Sequence, residues 1–324
     1  MLTKTRTLIL ILLIGLIGFT LMPKQGHLPL VAIANYGPHA SLDASIQGIK
    51  EALAKKGYLE HQTVTYVVED VGFDASLIPQ MIAELKNRHP QVMVVLTTPV
   101  AQFAKGTVKD IPLIYDVITD PIDAGLIQDK RRVDGNMTGS SDKQDLNLVL
   151  QFAKQLIPKA HRIGLLYATS EANDKALLHE MQRAAEKAGM DVVAVPVSEA
   201  RDVPMLMQQF KARVDVIYVG ASGPIQPTLP VISAMSKHMK IPVLNVDESA
   251  VKEGQVLASF GVDYHQVGVH AGNLVASVLR DKQAPLRKPV YPTQQDHHGF
   301  INVTLAHELG LIVPVGLAHV SLVE

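Results

Sequence analysis

The stretch QVMVVLTTPVAQFAKGTVKDIPLIYDVITDPIDAGL, residues 91–126, decides the fold that the sequence predicts. Its residues 92–96 are an unbroken apolar run rich in β-branched side chains, which is typical of a strand buried on both faces of a parallel sheet. The Thr-Thr-Pro at 97–99 suits the first turn of a helix. A second buried strand is predicted at 111–117. It ends at the Thr-Asp-Pro of 119–121, where we expect another helix to begin.

The carboxyl ends of these two strands would lie side by side at one edge of a parallel sheet. They bring hydroxyls, a carboxylate and two helix N-termini to that edge. Open α/β sheets bind small ligands at such places. The stretch therefore predicts one wall of a ligand pocket.

The rest of the chain repeats this alternation of strand and helix. Further strands are predicted at 30–34, 64–69, 162–167, 192–195, 214–219, 242–246 and 256–260. Alternation of this kind implies a parallel, right-handed, doubly wound sheet, and the cycle restarts after residues 135–142, which we interpret as a crossover. A chain of 324 residues is long enough for two cores. We predict an α/β fold of two similar doubly wound parallel-sheet lobes, joined by a hinge, with a ligand cleft between them.

The predicted division of the chain follows from these elements. Residues 27–140 and 264–292 form lobe 1, and residues 141–263 and 293–324 form lobe 2. Residues 1–26 are a targeting segment, because Lys4 and Arg6 precede an apolar run at 8–22. That run is a little short for a transmembrane helix, which needs roughly 20 residues. It suits a signal peptide, but the segment lacks an Ala-x-Ala cleavage site, so an uncleaved membrane anchor stays open. Both alternatives predict an exported, periplasmic protein.

Composition and motifs exclude several classes of protein. The 30 Lys and Arg against 31 Asp and Glu leave a formal net charge of -1, which predicts no nucleic-acid partner. The absence of cysteine excludes disulfides, thiolate metal sites and cysteine nucleophiles. The chain has no dinucleotide fingerprint after its first strand, no phosphate-loop lysine motif and no nucleophile elbow. We therefore predict no cofactor and no enzymatic activity. Adjacent histidines face differently in most backbones, so we predict no metal site at Asp296-His297-His298.

Several loop motifs occur in an order that resembles a known family. They are TTPVAQFAKGTVKDIPLIYDVITDPIDAGLI at 97–127, NMTGSSD at 136–142, HASLDASIQGIKEALAKKGY at 39–58, and the run at 163–189 with its LLYATSEAND turn. Together they resemble the ABC transporter substrate-binding proteins of the tryptophan/tyrosine-binding type, which have the type I periplasmic binding protein fold. The resemblance covers nearly everything after about residue 30.

The resemblance implies a periplasmic solute-binding protein. Such a protein captures a small ligand, here expected to be an amino acid with an aromatic or other hydrophobic side chain, in the cleft between its lobes. It then delivers the ligand to an ABC-type permease with its ATPase subunits, and we expect a monomer. The alternative is a membrane-anchored sensory module that binds the ligand without transport. A third alternative, an α/β enzyme, has no motif in its favour.

The candidate ligand-binding residues follow from strand ends and from this resemblance. Helix N-termini at Thr98-Pro99 and Ser140-Ser141 would donate to an amino-acid carboxylate, Asp120 or Asp247 would accept from its ammonium, and tyrosines would form the wall for its side chain. The full candidate set is Asn35, Tyr36, His39, Thr97, Thr98, Pro99, Thr119, Asp120, Ser140, Ser141, Tyr167, Glu171, Asn173, Ala221, Ser222 and Asp247.

Each candidate also has a structural explanation. Thr97, Thr98 and Asp120 suit helix caps, His39 suits a surface loop, and we expect only one of Glu171 and Asn173 to contact the ligand. Residues 220–224, GASGP, depart from the family, which is expected to carry a polar loop there. This departure leaves backbone groups and Ser222 as donors and makes the second-lobe wall the place where ligand choice is decided.

Overall fold

The structure is a computed structural model that describes residues 28–133, 135–281 and 286–324. It confirms the predicted architecture of two α/β lobes, each built on one sheet in which parallel pairing dominates. The predicted targeting segment at 1–26 lies outside the described residues. Within the described part of the chain, no helix is both long enough and apolar enough to cross a membrane.

Lobe 1 contains a five-stranded, wholly parallel sheet in the order β2-β1-β3-β4-β5. Its strands are β1 (Leu30–Asn35), β2 (Thr65–Asp70), β3 (Val92–Leu96), β4 (Leu113–Ile118) and β5 (Met137–Ser141). The helices between them are α1 (Ala40–Lys55), α2 (Ile78–Asn87) and α3 (Thr98–Thr107). Every residue of β3 and β4 is buried, as an inner strand covered on both faces requires.

Lobe 2 contains a seven-stranded sheet in the order β12-β11-β10-β9-β8-β6-β7. Its strands are β6 (Arg162–Ala168), β7 (Asp191–Val197), β8 (Val216–Val219), β9 (Val243–Asn245), β10 (Ala258–Val262), β11 (His297–Asn302) and β12 (Val320–Val323). All pairs are parallel except β10 with β11, which is antiparallel.

The helices that follow lobe 1 in the sequence are mostly packed on the second sheet. They are α4 (Leu146–Leu156), α5 (Ala172–Ala188), α6 (Val203–Met207), α7 (Leu229–Met239), α8 (Glu248–Lys252), α9 (Tyr264–Arg280) and α10 (Val303–Glu308). The exception is α9, which packs on α1 in lobe 1. Short 3₁₀ turns at 75–77, 200–202, 208–210, 226–228 and 294–296 complete the connections.

The chain passes between the sheets at three places that lie close together. It leaves lobe 1 after β5, returns between β10 and α9, and crosses again before β11. Ser140 of β5 forms a bridge with Val290 of the third crossing, and Val262 at the end of β10 pairs with His297 at the start of β11. Three neighbouring crossings form a hinge about which the lobes can rotate.

Two segments differ from the elements that the sequence predicts. Residues 137–141, interpreted as part of a crossover, form the strand β5, because their backbone pairs with β4 in parallel. The hydroxyls of Thr138 and Ser141 donate to Arg287 O and Ile118 O. The helix expected after Pro121 is wrong, because residues 121–126 form turns. Asp120 accepts there from the N–H groups of Ile122 and Asp123 at 2.9 and 3.1 Å and closes one tight turn.

Candidate functional site

One pocket between the lobes is lined by residues at the carboxyl ends of strands from both sheets. Lobe 1 contributes the ends of β1, β3 and β4, and lobe 2 contributes those of β6, β8 and β9. The lining residues are Tyr36, His39, Ser41, Leu42, Phe73, Thr97, Thr98, Pro99, Val117, Thr119, Asp142, Glu171, Asn173, Ala221, Ser222, Gly223, Gln226, Val246 and Tyr264. This is the edge at which α/β sheets bind ligands.

The lobe 1 wall is built at the N-terminus of α3. Thr97 precedes the helix with a φ of 71°, and Val117 at the end of β4 has a φ of 53°. Both residues are β-branched, so this left-handed backbone is strained, and strain of this kind clusters at functional sites. Thr97 Oγ1 is buried and has no hydrogen-bond partner among the described residues. With the unpaired N–H groups of the first helical turn, it gives this wall donors for an anionic group.

The lobe 2 wall is acidic and sits at the N-terminus of α5. Glu171 is 4% exposed, and its Oε2 accepts from Asn173 Nδ2 at 3.2 Å and from Gly223 N at 3.3 Å. Glu171 Oε1 and Asn173 Oδ1 are buried and accept no direct hydrogen bond in the described part of the chain, although the Tyr36 hydroxyl lies near enough to Glu171 to oppose the rise in its pKa. Burial raises the pKa of Glu171. The wall therefore presents acceptors that a cationic donor would satisfy.

Asp174 lies behind Glu171 and supports this acidic wall from within lobe 2. Burial, and then the neighbouring Glu171 carboxylate, raise the pKa of Asp174 to about 7. Its Oδ2 accepts from Ser222 Oγ at 2.7 Å and from the Ala168 N–H. Asp174 therefore orients the loop that follows β8 and does not line the pocket.

Apolar and aromatic groups occupy the space between the two polar walls. Tyr36 and Phe73 meet edge to face, with ring centroids 5.6 Å apart and planes at 83°. Burial, and then the nearby Glu171 carboxylate, raise the pKa of the Tyr36 hydroxyl. Leu42, Val117 and Val246 continue the apolar lining, so the pocket suits a ligand with an apolar body.

Buried carboxylates lie where the pocket meets the hinge. Asp142, 2% exposed, follows β5, and burial raises its pKa to about 6. Asp116 in β4 has no exposed surface, and its pKa is raised to about 7 by burial and by Asp142, against the opposing hydrogen bond from Ser45 Oγ. Tyr264 at the start of α9 lines the same region.

Ten of the sixteen candidate residues line this pocket. They are Tyr36, His39, Thr97, Thr98, Pro99, Thr119, Glu171, Asn173, Ala221 and Ser222. Both Glu171 and Asn173 line it, whereas only one was expected. Contact with a ligand stays a prediction for all ten.

Six candidates lie elsewhere, for local reasons. Asn35 bonds to its own loop, donating to Gly37 O and accepting from Tyr36 N, each at 2.9 Å. Ser140 and Ser141 are strand residues of β5, so the helix N-terminus predicted there does not exist; the next helix, α4, begins after Asp145. Tyr167 is a partly exposed residue of β6 beside the edge strand β7.

The other two candidates connect the lobes and do not line the pocket. Asp120 accepts from Lys143 Nζ, which also bonds to Glu180 in α5. Asp247 caps α8 through Ser249 N at 3.0 Å and accepts from Ser41 Oγ of α1 at 3.2 Å. The lobes are therefore joined on two sides of the pocket.

The sequence did not predict several of the residues that line the pocket. Asp142 ends the NMTGSSD motif, and its carboxylate beside two serines was a signal that could have found it. Phe73, Gln226 and Tyr264 carry no local signal, because they reach the pocket only through the packing of distant elements. The described residues include no cluster of three or more His, Asp or Glu that could hold a metal ion.

Comparison with known proteins agrees with this geometry. The family model described as ABC transporter substrate binding protein matches residues 30–319. The chain is 31% identical over 252 residues to a tyrosine-binding protein of Clostridioides difficile (strain R20291), which covers 78% of this chain and 73% of that protein.

Solved structures give the same result. An ABC domain in complex with L-Trp from Streptococcus pneumonia has a TM-score of 0.86 and 29% identity, covering 92% of this chain and 100% of that one. A ligand-free, open substrate-binding protein with adhesive properties from Clostridium difficile has a TM-score of 0.70 and 25% identity, covering 92% and 99%.

These matches span most of the chain and confirm the resemblance that the loop motifs indicate. The protein belongs to the ABC transporter substrate-binding protein family, whose members bind solutes and are not enzymes.

Proposed function

We propose that this protein captures a free amino acid with an aromatic or other hydrophobic side chain and delivers it to the permease of an ABC transporter. The observation that carries the proposal is the pairing of opposite polar walls in one pocket. Unpartnered acceptors of Glu171 and Asn173 face the cleft from lobe 2, and the N-terminus of α3 with Thr97 faces it from lobe 1.

An amino acid matches both walls with its two charges. Its ammonium carries three N–H donors for the acceptors at Glu171 and Asn173, and its carboxylate accepts from the α3 N-terminus. Burial makes these matched contacts strong, because a buried carboxylate with no cationic partner, such as Glu171, is costly in a dry pocket. The raised pKa of Glu171 reflects that cost, and a bound ammonium would lower the pKa again.

The apolar lining accounts for the ligand's side chain. Tyr36 and Phe73 form an aromatic wall, and Leu42, Val117 and Val246 add aliphatic surface. Relatives support the same class of ligand, since one is named for tyrosine and one structure holds L-Trp.

Delivery follows from closure of the lobes. For this mechanism we divide the chain as the sequence predicts, with lobe 1 at 27–140 and 264–292 and lobe 2 at 141–263 and 293–324. A ligand that contacts both walls binds the closed form better than the open form, so its binding free energy selects the closed form. That form, outside the cytoplasmic membrane, is the one we expect the permease and ATPase subunits to recognise.

Calorimetry with L-tyrosine, L-tryptophan, L-phenylalanine and L-leucine tests the ligand. We expect at least one to bind, and Glu171→Gln to weaken its binding by about 2 kcal/mol, roughly thirtyfold, because a charge-assisted hydrogen bond is replaced by a neutral one. Glu199→Gln is the matched control, since Glu199 is an exposed carboxylate of the same lobe. A folded protein that binds no member of the panel removes the amino-acid assignment.

Uptake tests the delivery step. Cells that lack this protein should take up the amino acid that binds best more slowly than cells that contain it, at equal permease levels. Equal uptake with tight binding in vitro would favour the sensory module over transport.

A further inference from the structure

The two lobes touch across the cleft at a glycine. Gly223 lies in the loop after β8 in lobe 2, and Tyr36 follows β1 in lobe 1. A methyl group in place of a Gly223 hydrogen would lie 2.5 Å from Cε1 of Tyr36 and 2.8 Å from Oε1 of Glu171. Both distances are shorter than those that real Cβ atoms show, so this arrangement of the lobes has no room for a side chain at 223.

Space alone, and not backbone conformation, requires glycine here. The φ angle of Gly223 is not positive. An alanine could therefore adopt the same backbone without strain. A substitution at 223 would test the contact between the lobes and leave the folding of the loop intact.

The loop that carries Gly223 is firmly held within lobe 2. Its bonds run from Asn173 Nδ2 to Ala221 O (3.0 Å), from Ser222 Oγ to Asp174 Oδ2 (2.7 Å) and from Gln226 Nε2 to Gly220 O (2.7 Å). The Gly223 N–H itself donates to Glu171 Oε2. A loop tied at four places cannot move away to relieve a clash.

Tyr36 is held just as closely on the opposite side. Its backbone N–H donates to Asn35 Oδ1, and its ring packs edge to face on Phe73. Phe73 in turn lies so near Gly37 that a methyl there would meet its ring at 2.7 Å. Tyr36 is 3% exposed and lies beside the Glu171 carboxylate, which is 4% exposed.

We propose that Gly223 is the position that sets how far the lobes close, because only a hydrogen there lets Tyr36 seat against lobe 2 and shield Glu171 from water. The inference rests on the proposed function in one respect, that closure captures the ligand. Exclusion of water strengthens the contact between Glu171 and a cationic group. A side chain at 223 keeps the lobes apart. Because it would also meet Glu171 Oε1 at 2.8 Å, the distance between the lobes, and not the affinity alone, measures its effect on closure.

A distance measurement between the lobes tests this directly. The chain has no cysteine, so spin labels can be placed on single cysteines at Gln80 in lobe 1 and Ser198 in lobe 2, both exposed. Distance distributions are recorded without ligand and with L-tyrosine or L-tryptophan. The variants are Gly223→Ala, Tyr36→Ala, their combination, and Gly106→Ala as a matched control, because a methyl at Gly106 meets open space.

We expect the parent and Gly106→Ala to populate the short, closed distance. Gly223→Ala should lose that population and bind the amino acid about tenfold more weakly, ~1.4 kcal/mol, as overpacking of a tight contact does. In the Tyr36→Ala background the same glycine substitution should have little further effect on the distance, because its partner is gone.

Three results would overturn the inference. In the first, Gly223→Ala has the same distance distribution as the parent. In the second, Gly223→Ala removes as much of the closed population in the Tyr36→Ala background as it does in the parent. In the third, the parent never populates the short distance. A parent that closes in the absence of ligand and loses closure in Gly223→Ala, but binds no amino acid, would contradict only the proposed ligand.

Discussion

Asp116 shows how burial changes the chemistry of a single residue. It lies in β4, an inner strand of the lobe 1 sheet, with no exposed surface, and its pKa is raised from 3.8 to about 7 by burial and by Asp142. A carboxyl with a raised folded-state pKa favours folding when protonated. Its contribution to the free energy of unfolding is therefore complete below about pH 4 and is lost as the pH rises through about 7.

Asp116→Asn should remove this pH dependence, because the amide cannot ionise but still accepts from Ser45 Oγ. We expect the variant to be more stable than the parent by about 4 kcal/mol at about pH 8 and equal to it at about pH 4. Urea unfolding across that range measures the difference. Asp123→Asn, at an exposed position, is the control. A constant difference between Asp116→Asn and the parent at every pH would contradict the ionisation argument.

Individual residues also show which parts of the site can be predicted from a sequence. Thr97, Thr98 and Glu171 directly follow strands, so position along the chain places them at the pocket edge. Tyr264 follows the short strand β10 too, but it reaches the pocket because the chain crosses back to lobe 1 at that point. Nothing in its neighbouring residues encodes that crossing. Asp120 shows the opposite case, because its carboxylate is taken by Lys143, a partner 23 positions away.

At the scale of elements, the contact between α1 and α9 attaches a late helix to the first lobe. The helices meet through glycines: a methyl at Gly268 would lie 1.9 Å from Ser45 O, and one at Gly48 would lie 2.1 Å from His265 O. Backbone meets backbone there, and neither side has a flexible end that could give way.

Gly268→Ala should therefore destabilise the protein by about 3 kcal/mol, since the helices must separate to admit the methyl group. Gly106→Ala changes a helical glycine that faces open space and should instead stabilise by about 0.5–1 kcal/mol through helix propensity. Thermal or urea unfolding measures both changes in the free energy of unfolding, which we expect to have opposite signs. Stabilisation by Gly268→Ala would mean that α9 does not pack on α1 as closely as described.

The composition of each element explains how well the sequence predicts it. Inner strands such as β3 are continuous apolar runs, and their composition alone predicts them. Composition does not predict β5, because its residues Met-Thr-Gly-Ser-Ser are mostly small and polar. It becomes a strand because its backbone pairs with β4, with Gly139 passing close to Tyr115 O, and because distant carbonyls accept from its hydroxyls. The tight turn after Asp120 is equally a matter of one side chain's hydrogen bonds.

At the scale of the whole molecule, polar contacts on two sides of the pocket hold the lobes together. On one side Ser41 of lobe 1 donates to Asp247 of lobe 2. On the other, Lys143 bridges Asp120 of lobe 1 and Glu180 of lobe 2, and its side chain is 25% exposed. Burial opposes the charged forms of Asp120 and Lys143. The bridge outweighs it, so the pKa of Asp120 is lowered and that of Lys143 raised.

Lys143→Met would leave two poorly hydrated carboxylates facing each other between the lobes, which disfavours the closed form. We expect the affinity for L-tyrosine or L-tryptophan to fall about tenfold, ~1.4 kcal/mol, since breaking a partly buried ion pair leaves its partners uncompensated. The closed distance between spin labels should become less populated even without ligand. Adding Glu180→Gln should restore part of both, because one of the repelling charges is then gone. Lys187→Met, at an exposed position of the same helix as Glu180, should match the parent. If Lys143→Met closes and binds as the parent does, the bridge contributes nothing to closure, and the free energy that holds the lobes together comes from the ligand, from the Ser41–Asp247 hydrogen bond and from the contact at Gly223.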